Sequence, residues 1–181
     1  MQTLLASVLQ TSYLSLTTSL YNALGSIALS DLLKLISLDE EDLTIVSAHV
    51  QDALVRADEI EYVPNRKQLI LPIRRFVWEA PGARRMLFPN KERRAAVLHF
   101  NHVQALKVRG FRQGAPEALS LLTIEYAQNS ENDPAGEIVL HFAERKAMAL
   151  KVDAIEAQLT DTGGRWSASS RPKHPAASYP W

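Results

Sequence analysis

Val97-Leu98-His99-Phe100 stands four residues ahead of Ala105-Leu106-Lys107-Val108, and Val139-Leu140-His141-Phe142 stands six residues ahead of Ala149-Leu150-Lys151-Val152. The same two words occur twice, in the same order. Both copies alternate apolar and polar side chains, the period of a strand with one buried face. In each copy a polar break follows and then a second strand. The sequence therefore predicts two β-hairpins, Val97 to Val108 and Val139 to Val152. It makes β structure the backbone of the fold without naming a chemistry.

Further strands extend outward from these. Leu54 to Val63 is a strand candidate, and Pro64-Asn65-Arg66-Lys67 is a turn. Gln68 to Glu79 follows, with Leu69, Leu71 and Ile73 on one face but Phe76 and Trp78 on the other. That switch of phase predicts a bulge near Arg74-Arg75, and Pro72 places the strand at an edge or at the bulge. Ala80 to Lys91 reads as a loop. Leu119 to Tyr126 supplies another strand, with Leu122, Ile124 and Tyr126 on one face.

Two helices frame the strands. Ser37 precedes Glu40 at capping-box spacing, and Asp39, Glu40, Glu41 and Asp42 crowd a first turn, where the helix dipole favours negative charge. Leu43, Val46, Val50 and Ala53 recur at helical spacing, which predicts a helix from Asp39 to about Ala53. Asp153 and Glu156 repeat the cap spacing, and Ile155 and Leu159 predict a short C-terminal helix stopped by Gly163-Gly164. The expected fold is α+β and mainly β: an antiparallel seven-stranded barrel or sandwich with one N-terminal and one short C-terminal helix. Seven antiparallel strands closed by a helix are similar to the pleckstrin-homology-like architecture, a likeness of topology alone.

The chain has 181 residues, 46% of them hydrophobic, enough for one domain with a real core. Twenty basic and twenty acidic side chains cancel, so no whole-molecule field attracts nucleic acid or an anionic membrane. The absence of cysteine excludes disulfides, thiolate metal sites and cysteine nucleophiles, and it fits a cytoplasmic protein. Residues 1–31 hold no charge before Asp31 and read as an accessory extension. Polar residues interrupt their apolar run, and no basic residue opens it, so neither a secretory signal nor a membrane span is expected. The globular domain is expected over 32–166, and a loose Ser- and Pro-rich tail over 167–181.

Leu33-Lys34-Leu35-Ile36-Ser37-Leu38-Asp39-Glu40-Glu41-Asp42-Leu43, running into Ser47-Ala48-His49-Val50-Gln51-Asp52-Ala53, resembles a bacterial family, the alphaproteobacterial domain of unknown function numbered twenty-nine forty-eight. Phe76-Val77-Trp78-Glu79, Leu98-His99-Phe100, Ile155-Glu156-Ala157-Gln158-Leu159 and Ser170-Arg171-Pro172 are similar to later parts of its pattern. The resemblance covers roughly Leu32 to Pro172. It implies a small bacterial protein and supplies no catalytic residues.

Candidate chemistry is sparse. His99, His102 and His141 could meet across two strands, with Glu125 or Glu137 as a further metal ligand. Solvent-facing histidines opposite Leu98, Phe100, Leu140 and Phe142 are the favoured reading, because neither spacing is that of a ligand motif. No nucleophile elbow or phosphate-cradling glycine run is present, and capping accounts for Asp39 to Asp42. The basic segment is the best functional hint: Arg74, Arg75, Arg84, Arg85, Arg93 and Arg94, with Trp78 among them. Arginine forks bind phosphates and carboxylates. The expectation is a non-catalytic binding or interaction module, needing no cofactor, whose partner is an anionic ligand or acidic protein surface. Nucleic acid and membrane are disfavoured. The alternative is a small-ligand-binding protein or enzyme that uses histidines at a barrel mouth.

Overall fold

The computed structural model describes residues 32–77, 92–131 and 133–167. The expected extension, the expected loop from Ala80 to Lys91, and the expected tail beyond Ser167 lie outside these residues. The elements in chain order are β1 (Lys34–Ser37), α1 (Glu40–Val50), β2 (Ala53–Arg56), β3 (Glu61–Val63), β4 (Gln68–Phe76), β5 (Glu92–Phe100), β6 (Val103–Arg109), β7 (Ala118–Gln128), β8 (Gly136–Phe142), β9 (Ala147–Val152) and β10 (Ala157–Ser167). The strands form one antiparallel sheet in the order β1-β10-β5-β4-β2-β7-β8-β9-β6, with β3 added alongside β4. The mainly β, antiparallel expectation holds. The strand number does not: ten strands are present among the described residues.

The path of the chain forces this sheet to curl. β5 lies third in the order and β6 last, yet only Asn101 and His102 connect them. Two residues reach about 7 Å, whereas a flat sheet would set these strands on the order of 30 Å apart. The half containing β4, β5 and β10 must therefore face the half containing β7, β8 and β9. His102 makes the corner in the left-handed region, at φ 59°. The Asn101 amide donates to Glu156 O at 2.9 Å, Val103 N–H to Lys67 O at 2.8 Å, and Asp153 N–H to His102 O at 3.1 Å. The path still ends at β1 and β6, which do not pair with each other, so the sheet is not closed.

This corner corrects the expectation of two hairpins. Val139 to Val152 is one: β8 pairs with β9, and His141 stands opposite Ala147. Val97 to Val108 is not. β5 pairs with β4 and β10, and β6 pairs with β9. Equal words mark equal burial patterns, not equal partners.

The expected C-terminal helix is strand β10. Ala157, Leu159 and Asp161 are buried and alternate with Gln158 and Thr160, which is period two. Ile155 and Leu159, four apart, fit either period. Gly163 and Gly164 do not stop a helix; they sit where the β10 register against β5 shifts between Asp161 and Arg165.

The bulge expected at Arg74-Arg75 is absent, because β4 pairs with β5 without a break from Leu69 to Phe76. Arg75 simply continues the buried face of Leu69, Leu71 and Ile73. Pro72 sits between the β3 pairings at 68–70 and the β2 pairings at 73–74, so its missing N–H costs the sheet nothing on that side. A register shift occurs in β7 instead, between Leu121 and Thr123. It moves the buried face from Leu119 and Leu121 to Ile124, leaving Leu122 and Tyr126 only half-buried.

Helix α1 forms for the reasons its sequence announces. Asp39 is the N-cap, its carboxylate accepting from the Asp42 amide at 2.8 Å, and three acids fill the first turn. Ser37 therefore does not cap the helix; its hydroxyl donates to Asp39 O. Leu43, Val46 and Val50 face the core. Ser47 on the same stripe accepts from the Ile124 amide at 2.8 Å. That bond matters because β7 pairs with β2 only up to Leu121, leaving the next stretch of that edge without a strand. The helix takes the place of the missing neighbour.

Candidate functional site

The basic segment is largely interior. The Arg75 guanidinium grips both oxygens of Asp161, Nε to Oδ1 at 2.8 Å and Nη2 to Oδ2 at 2.9 Å, with both side chains fully buried. Arg94 donates from Nη1 to the same Oδ2 at 3.0 Å. Arg93 lies 3.8 Å over the Phe76 ring and donates to Arg74 O at 2.8 Å. Burial draws the Arg93 guanidinium pKa down, and Asp52 opposes that shift. Arg75, Arg93 and Arg94 thus do not form the expected surface patch. Arg74 is exposed, and Trp78, Arg84 and Arg85 lie outside the described residues.

The histidines are not brought together as the doubled signature suggested. His99 on β5 stands between Gln158 of β10 and Ile70 of β4, whereas His141 on β8 stands between Thr123 and Ala147. His102, at the corner, is joined to Glu156 by Nε2 and Oε2 at 2.8 Å. Glu156 also accepts from Asn101 Nδ2 at 2.7 Å, and Asn101 Oδ1 accepts from Gln68 Nε2 at 2.8 Å. The Asn101 bond, then His102, holds the Glu156 carboxyl below its ordinary range. Burial pushes the His99 imidazole down, with Glu156 opposing. This network fastens the β5–β6 corner to β4 and β10. Among the described residues no three His, Asp or Glu side chains gather as a metal site.

A groove of about 410 Å³ opens between α1 and β7. Leu43, Ile124 and Ser47 line its buried part, and Glu40, Thr44, Thr123, Glu125 and Tyr126 line the remainder. The helix and the strand set this geometry through the Ser47 hydroxyl, which holds Ile124 N–H and lies 3.3 Å from Thr123 Oγ1. Glu125 carries His141 at 3.1 Å. Glu40 has no ion pair with any described residue. The Tyr126 hydroxyl donates to Pro134 O at 3.0 Å, and its pKa is pushed up by burial first and then by Asp133 and Glu40. The groove thus pairs an apolar floor with hydroxyls and two carboxylates, an arrangement that favours a positive charge carried on an apolar stem. Capping alone accounts for Glu40 in the sequence, and the sequence pattern assigns no site role to Thr44, Ser47 or Tyr126. A hydroxyl at position 47, on an otherwise apolar stripe, was the available signal.

No described helix is long and apolar enough to cross a membrane. No curated protein and no solved structure matches the chain. The chain belongs to the family described as Protein of unknown function (DUF2948), which matches residues 33–174.

Proposed function

We propose that this member of the DUF2948 family is a non-catalytic binding or interaction module, and that the groove between α1 and β7 receives a positively charged group of its partner. The observation that carries the reading is the pair of carboxylates, Glu40 and Glu125, set on either side of an apolar floor in one groove. A lysine or arginine side chain supplies the matching chemistry, since it lays an apolar stem along such a floor and keeps its cation at the rim. Ser47, the hydroxyl at the floor, supports binding over catalysis, because its oxygen already accepts from Ile124 N–H and lies beside the Thr123 hydroxyl. A cationic partner is favoured over the expected anionic one because Arg75, Arg93 and Arg94 are buried, which leaves Arg74 as the exposed member of the basic segment among the described residues. A cytoplasmic bacterial setting completes the proposal, on the cysteine-free composition and the family resemblance.

Titration of the full chain with short lysine- and arginine-rich peptides, followed by amide shifts of Thr44, Thr123 and Glu125, tests this. Saturable shifts at low salt that Glu40→Gln and Glu125→Gln both weaken are expected. Shifts that ignore both substitutions, or no saturable shift, would sink the groove.

A further inference from the structure

We infer that two copies of this chain associate through the edge strand β1, antiparallel, about a two-fold axis at Ile36. β1 ends the sheet and pairs with β10 alone among the described strands. The two ends of the sheet are unlike. β6 exposes Gln104, Ala105, Lys107 and Arg109, and charged side chains of that kind protect an edge from pairing with another chain. β1 has only Lys34, and it exposes Ile36 at 54%. Leu38, just past β1, is 65% exposed and Ile45 on α1 is 48% exposed. Large apolar side chains exposed to this degree do not occur elsewhere among the described residues.

Charge selects the occupant and its direction. β1 runs straight from Lys34 into Asp39, Glu40 and Glu41. Lys34 and Glu41 have no ion-pair partner among the described residues. In an antiparallel pair centred on Ile36, Ile36 meets Ile36, Leu35 meets Ser37, and Lys34 meets Leu38, one residue from the acidic turn of the other copy. A parallel pair would set lysine on lysine and acid on acid, which is repulsive. A second copy is thus complementary to this edge in apolar surface, register and charge. The interface is small, in the class below about 1,200 Å² where association is weak and reversible.

The chain has no native cysteine, so a single introduced thiol reports the register. Opposed Cβ atoms across an antiparallel pair lie about 4.5–5.5 Å apart, close to disulfide reach. Analytical ultracentrifugation of the full chain over a dilution series is expected to show a monomer–dimer equilibrium. Ile36→Asp should weaken it by about tenfold or more, and mild oxidation should cross-link Ile36→Cys much faster than Ile45→Cys. Circular dichroism confirms that each variant folds. A monomer at every concentration, a dimer indifferent to Ile36→Asp, or equal cross-linking of the two cysteine variants overturns the inference. So does a monomer whose Ile36 amide resists exchange, because the edge would then be covered by the same chain.

Discussion

Arg75 and Asp161 face each other inside the sheet with two parallel hydrogen bonds, and neither side chain touches solvent. Such a pair is not an obvious source of net stability, because desolvation of both ions offsets their attraction. Breaking it is another matter. Asp161 also anchors Arg94, so its loss would leave two buried guanidinium groups without that carboxylate.

Asp161→Ala is therefore expected to destabilise the protein by about 3–5 kcal/mol. Replacing Arg75, Arg94 and Asp161 together by apolar residues of similar volume should recover most of that loss. Urea unfolding with an unchanged slope checks both statements. A mild effect of Asp161→Ala alone would show that the cluster is dispensable.

Ser47→Ala removes the acceptor for the Ile124 amide. The donor is buried and faces the side of β7 where β2 no longer pairs, so the expected cost is about 1–3 kcal/mol. Hydrogen exchange at Ile124 should accelerate more than at Leu121, whose strand neighbour β2 remains. Equal acceleration at both sites would mean that α1 does not guard this edge.

A Cβ added at Gly136 would stand 2.5 Å from Ala127 O and 2.5 Å from Tyr126 Cε2. The ring can turn, but the carbonyl belongs to the paired strand and cannot yield without moving β7. Gly136→Ala is expected to cost about 1–3 kcal/mol and to disturb the Tyr126 hydrogen bond to Pro134. A thermal melt and the Tyr126 fluorescence test it; an unchanged melting point would count against the tight β7–β8 approach.

Acid should loosen the corner in two stages. Burial lowers the His99 pKa from 6.5, so the folded state binds that proton less readily than the unfolded chain. The contribution of His99 is complete above 6.5 and drains as pH falls through that value towards the folded pKa. Glu156, lowered from 4.5 chiefly by Asn101 and then by His102, follows the same sign: its contribution is complete above 4.5 and is lost below. His99→Gln should flatten the first stage of a stability–pH curve, and Glu156→Gln should reduce the second. Curves parallel to the wild type would refute the assignment.

Local chemistry was legible in the sequence and long-range pairing was not. The acidic first turn marked α1 because a helix dipole acts on the residues beside it. β8 and β9 were legible as strands because alternation is a property of consecutive side chains. The two signatures could not show that one turns a hairpin and the other a corner, since that depends on β10 and β4 lying beside β5. The arginines carried a similar ambiguity. Charge along the chain suggested surface, while Asp161, which draws Arg75 and Arg94 inward, sat in a segment whose Ile155 and Leu159 spacing imitated a helix. The groove was equally hidden, because its two walls are brought together only by the packing of α1 on β7.

Lys34 lies opposite Thr160, on the described strands that come first and last along the chain. The domain therefore cannot complete its fold during synthesis until β10 has left the ribosome, and the nascent chain must hold β1 unpaired until then. Contacts that span so much sequence make folding slow, in the millisecond-to-second range typical of non-local β topologies (roughly). The same adjacency places the two ends of the fold side by side. A short linker joining them, with new ends opened in the loop between Gly110 and Glu117, should yield a circular permutant with the same sheet and a different order of assembly.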